Sequence, residues 1–148
     1  MKNSILMAWN DSMVSRAALD YLVGLSMCPE DVQITILHVF RKASASEELM
    51  GKKFTKKEKD RFANLLQNAK DNLIEKGFVP ENIRTVMVED PYVTIADGII
   101  DQFKKEKFDM VVIGRKRMSK AEEFVMGDVS IKLIRALENA AVLVVTSP

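Results

Sequence analysis

The 148-residue chain carries 22 Lys and Arg against 21 Asp and Glu, a formal net charge of +1. That balance gives no global attraction to nucleic acid or anionic membrane, and neither is expected as a partner. A chain this long buries roughly 70% of its unfolded surface and needs no disulfide or metal to fold, and its single Cys28 excludes an internal disulfide. A hydrophobic share of 47% argues against disorder. No apolar run approaches the ~20 residues of a membrane span, and no small-residue cleavage site follows the first apolar run. The expectation is one cytoplasmic domain over residues 1–148.

Short apolar runs alternate with helical patterns. Ile5-Leu6-Met7-Ala8-Trp9 reads as the first strand. Ser12 then offers a helix cap, and Ala18, Tyr21, Leu22 and Leu25 recur at spacings of three and four. The β-branched run from Val32 to Phe40 reads as the second strand. A polar stretch from Arg41 to Lys53 reads as a loop or lid with some helical content. Thr55 and Glu58 have capping-box spacing, Phe62, Leu65, Leu66, Ala69 and Leu73 form a stripe, and Gly77 is the expected stop.

Ile83 to Val88 reads as a third strand, and Asp90-Pro91 as the opening of a helix whose buried face is Ile95, Ala96, Ile99 and Phe103. Met110 to Ile113 gives a fourth strand ending at Gly114. A helix from Gly127 to Glu138 carries Val129, Leu133, Ile134 and Leu137, and Val142-Leu143-Val144-Val145 makes a fifth strand. Five apolar runs separated by helices predict an α/β fold, a mostly parallel sheet covered on both faces. In such sheets ligands bind beyond the carboxyl ends of the strands, where strand order reverses.

Residues 5–12 (Ile-Leu-Met-Ala-Trp-Asn-Asp-Ser), followed by Ser15, Ala17, Ala18 and Leu19, resemble the opening of the universal stress protein family. Ile36-Leu37-His38-Val39 resembles that family's second strand, Asp109 to Gly114 its fourth, and Val142 to Val145 its fifth. The resemblance implies a doubly wound, adenine nucleotide alpha hydrolase-like fold with five parallel strands in the order 3-2-1-4-5. It also implies a homodimer in which Val142 to Val145 pairs with its counterpart, since an uncovered apolar edge is a liability.

ATP-binding members of that family carry Gly-x2-Gly-x9-Gly-Ser/Thr after the fourth strand, where glycines let backbone donors approach phosphates at a helix start. Here Gly114 and Gly127 keep the spacing, but Arg117 stands at the second glycine and Asp128 at the Ser/Thr position. Ser130 matches a further hydroxyl position, Val39 the residue packed on adenine, and Asn10 replaces the usual acid near the ribose and base. The implied crevice is therefore Asn10, Val39, Gly114, Arg117, Gly127, Asp128 and Ser130, with ATP, ADP or AMP as candidate ligands and Mg alongside if one is bound. A carboxylate ~5 Å from a phosphate charge costs about 3 kcal/mol at an effective dielectric of ~20, against about 0.3–1 kcal/mol from the helix terminus. Asp128 also sits where an N-cap belongs. Arg115, Lys116, Arg117 and Lys120 could clamp phosphate or form a solvated loop, and Arg117 could instead pair with Asp128.

His38 lacks neighbouring His or Cys and reads as a core or crevice histidine with one hydrogen bond rather than a metal ligand. Cys28 has no visible base and reads as a structural thiol. Trp9 could stack on a base or pack in the core, while Lys52, Lys53, Lys56, Lys57 and Lys59 give a basic patch, by default a solvated face. The expected function is a non-enzymatic stress-response protein that acts as a dimer through binding or partner contacts, with weakened ATP binding. The alternatives are a nucleotide-binding switch using residues 114–130, and behind it a phosphate-hydrolysing enzyme using Asp11 and Asp128.

Overall fold

A computed structural model describes residues 2–10, 12–25, 27–41, 49, 56–122 and 128–147. Its principal elements are β1 (Asn3–Ala8), α1 (Met13–Gly24), β2 (Val32–Arg41), α2 (Lys56–Glu75), β3 (Ile83–Tyr92), α3 (Ile95–Lys105), β4 (Met110–Lys116), α4 (Val129–Ala136) and β5 (Ala141–Ser147). The strands form one parallel sheet in the order β3-β2-β1-β4-β5, the order that the family resemblance implies.

Side-chain alternation along the strands divides the core into two layers. Ile5, Met7, Ile34, Ile36 and Val112 face α1 and α2, where Ala18, Leu19, Leu22, Leu66 and Leu73 meet them. Leu6, Leu37, Val39, Val111 and Ile113 face the other way and join Ile99 of α3 and Leu133 of α4. Both faces of β1 are buried, which explains its uncharged run. Because β1 lies between β2 and β4, the chain leaves it in opposite directions, and a crevice opens at its carboxyl end.

The helix predicted to open at Asp90-Pro91 does not. Both residues belong to β3, and the helix starts at Ile95, capped by the Thr94 hydroxyl, which accepts from the Asp97 N–H at 3.1 Å. Two rules favour strand here: a residue before proline is pushed out of the α region, and an edge strand tolerates a missing N–H. α4 likewise starts at Val129 and ends at Ala136, short of the expected Glu138, while Gly127 lies outside the described residues. Thr55, and with it the expected capping box, also lies outside them, as does most of the stretch read as a lid. Tyr21, Leu25 and Ile134, expected on buried stripes, are exposed, and the polar Ser15 is buried. Gly77, two residues past α2, has φ +101, the left-handed turn that favours glycine.

Gly114 is required by packing. A Cβ placed there would lie 2.1 Å from the carbonyl oxygen of Val14, so α1 rests directly on the β4 backbone. Backbone cannot step aside as a side chain can. Gly114→Ala is expected to destabilise by about 3 kcal/mol, the upper end of overpacking costs, measured by urea unfolding.

Candidate functional site

The carboxyl ends of β1, β2 and β4 converge with α3 and α4 on a cavity of about 100 Å³ lined by Trp9, Asn10, His38, Val39, Gly114 and Val129 among others. Asn10, Val39 and Gly114 therefore meet as expected from the sequence, and Ser130 and Asp128 stand at the adjoining start of α4. Arg117 is exposed; its backbone N–H continues the β4–β5 ladder by donating to the Ser147 carbonyl at 3.0 Å. Gly127 and Asp11 lie outside the described residues.

Asn10 is committed to local structure. Its side-chain oxygen accepts from the Ser12 N–H at 3.0 Å, from the Ser15 hydroxyl at 2.8 Å and from the Ser12 hydroxyl, while its own N–H donates to Ser15 Oγ at 3.1 Å. These bonds fix the turn from β1 into α1 and leave the amide oxygen saturated. A lone Asn gave no sign of this; the neighbouring Ser12 and Ser15 carried the signal.

His38 is buried, stacked on Phe62 with ring centroids 3.8 Å apart, and hydrogen-bonded through Nδ1 to the Trp9 carbonyl at 2.7 Å. A carbonyl only accepts, so Nδ1 carries the proton. The core-or-crevice reading of His38 agrees with this placement. Among the described residues no group of three or more His, Cys, Asp or Glu could hold a metal ion.

Asp128 is the N-cap of α4. One carboxylate oxygen accepts from the Ser130 N–H at 2.9 Å and the Ser130 hydroxyl at 2.5 Å. The other lies 2.7 Å from the Arg115 guanidinium, and only 5% of the Asp128 side chain is exposed. The partner is thus Arg115 and not Arg117, the candidate from the sequence. Arg115 lies in β4, close to the start of α4, whereas Arg117 lies past its end. Burial alone would raise the Asp128 pKa, but the Ser130 hydroxyl and N–H and the Arg115 charge outweigh it and hold the carboxyl below its usual 3.8.

Chemically, this arrangement offers an apolar slot bordered by the saturated Asn10 amide, with the neutralised Asp128 carboxylate at the adjoining helix start rather than in its lining. The slot is smaller than the roughly 300–1,000 Å³ of small-molecule pockets, and the α4 donors suited to a phosphate already hold Asp128.

The model of the universal stress protein family matches residues 1–146, and the chain belongs to that family. Universal stress protein YxiE of Bacillus subtilis (strain 168) is 29% identical over 155 residues, covering 98% of this chain and 99% of that protein. Among solved structures, a universal stress protein in complex with cAMP superposes with a TM-score of 0.69 at 16% identity, covering 97% of this chain and 96% of that one. A family protein from Arabidopsis thaliana with AMP bound gives 0.67 at 18% identity, covering 99% and 92%. Identities this low show the shared fold.

Asp128→Ala removes the α4 cap and leaves Arg115 without this counter-charge, and is expected to cost about 2 kcal/mol at neutral pH. Because the folded pKa lies below the unfolded one, the carboxylate contributes its stability above pH ~4 and loses it as pH falls through the folded value. Urea titrations at neutral and acidic pH should therefore show the gap between variant and parent narrowing toward acid.

Proposed function

We propose that the chain is a single-domain, cytoplasmic, non-enzymatic universal stress protein that acts as a dimer through binding or partner contacts, and whose ATP binding is weakened by its own Asp128. The observation that carries this reading is the Asp128 carboxylate held by Ser130 and Arg115 where phosphate would lie. A phosphate entering there meets a like charge worth about 3 kcal/mol at ~5 Å and an effective dielectric of ~20, and must also displace an ion pair. Calorimetry with ATP, ADP and AMP, with and without magnesium, tests it. ATP binding is expected to be weaker than millimolar, and Asp128→Ser, which keeps a capping hydroxyl, to tighten it at least about tenfold. Submillimolar ATP binding by the parent chain refutes the weakened site.

The two sheet edges differ in a way that supports the dimer. β3 carries Pro91 and, with β2, a register shift between Val39 and Arg41, both devices that blunt an edge. β5 is regularly paired along its length with β4, and Val142 to Val145 stay half-buried. Exposed Ile131 and Ile134 on α4 add apolar surface on the helix packed beside it. Pairing through β5 predicts slow hydrogen exchange at every amide from Val142 to Val145, because alternate N–H groups point to opposite edges. Fast exchange at alternate amides in a sample that sediments as a dimer would move the interface elsewhere.

A second reading, a nucleotide-binding switch using residues 114–130, draws on the convergence of Val39, Gly114 and Ser130 and on relatives described with cAMP and AMP. It requires Asp128 to leave Arg115, and the same calorimetry decides it.

A further inference from the structure

On the α1–α2 side of the turn that follows β1 lies a second cavity of about 430 Å³, within the roughly 300–1,000 Å³ range of small-molecule sites. Trp9, Met13, Ala17 and Leu65 supply its apolar surface. Arg16 and Asp20, one helical turn apart on α1, line it too; both are exposed and neither side chain has a hydrogen-bond or ion-pair partner among the described residues.

These two charges do not serve the helix. A cation near the start of α1 opposes the helix dipole, and an Arg placed N-terminal to an Asp at this spacing is the less favourable order for a pair. A cavity of ligand size is thus bordered by a free cation, a free anion and an aromatic wall.

We propose that this cavity binds a small zwitterion of the amino-acid class. Its carboxylate meets Arg16, its ammonium meets Asp20, and an apolar or aromatic side group lies against Trp9, Met13 and Leu65. Arg forms charge-assisted bonds to a carboxylate, and the side chains of residues four apart on a helix reach both ends of a group whose two charges share one carbon. Aromatic contact with Trp9 adds specificity. The site is separate from the crevice and stands whether or not a nucleotide binds there.

Trp9 is the only tryptophan in the chain and lines both cavities, so its emission reports on the wall they share, and the Arg16 and Asp20 variants assign a change to this side of it. The full chain is titrated with L-phenylalanine, with binding read by Trp9 emission and by ligand-detected NMR. Saturable binding is expected, weakened at least about tenfold by Arg16→Ala and by Asp20→Ala, with phenylacetate and phenethylamine each binding less tightly than phenylalanine. Both substitutions are at exposed positions, and circular dichroism checks that the fold is retained. No saturation up to about 10 mM in either readout, where affinity falls below about 3 kcal/mol, overturns the proposal. So does binding that is indifferent to both substitutions, or phenylacetate binding as tightly as phenylalanine.

Discussion

Two hydrogen bonds and one ion pair converge on the carboxylate of Asp128: the N–H and hydroxyl of Ser130 donate to one oxygen, and the guanidinium of Arg115 faces the other. Each is of the kind that would otherwise serve a phosphate at a helix start. Together they neutralise a nearly buried charge that would be costly alone, and they cap α4. In the proposed function the balance favours the internal occupant: an incoming phosphate would have to displace these contacts, leave the carboxylate unpaired and accept its repulsion, while the terminus of an eight-residue helix returns only about 0.3–1 kcal/mol. The depressed pKa keeps Asp128 ionised at neutral pH, so ordinary protonation does not release the donors.

The scaffold and the ligand chemistry are therefore separable in this chain. Gly114 opens the family's phosphate motif, yet α1 demands it, because the Val14 carbonyl leaves no room for a side chain. Val39 lies in the core as well as on the crevice wall, and Ser130 is buried while bonding to the cap. Residues that match a nucleotide motif are thus held by packing and capping. A chain can keep them under the pressure of stability alone, which is why matched positions say less about ligand than mismatched ones.

What the sequence made legible follows from how local each signal is. The strands were readable because runs such as Ile5 to Ala8 and Met110 to Ile113 are apolar on both faces, as the centre of a parallel sheet demands, whereas their order followed from the family resemblance and not from the pattern. The Asp128 cap was readable from its place before an apolar run. Asp90-Pro91 misled because proline suits both a helix start and an edge strand, and only the sheet order says that β3 is an edge. Arg115 and Arg117 could not be told apart by composition; the end of β4 decides between them. Tyr21 and Ile134 fit a helical period yet face outward, because period fixes a stripe but not its width.

The turn after β1 ties these observations to one place. Asn10 gathers Ser12 and Ser15, the Trp9 N–H donates to the Leu37 carbonyl at 2.7 Å, and His38 Nδ1 donates to the Trp9 carbonyl at 2.7 Å. Trp9 is thereby pinned through its backbone to β2, while its side chain borders both cavities. A residue held this way cannot move far without breaking bonds in β2 and at the start of α1. The only indole of the chain thus stands as a fixed wall where the sheet, the first helix and two hollows meet.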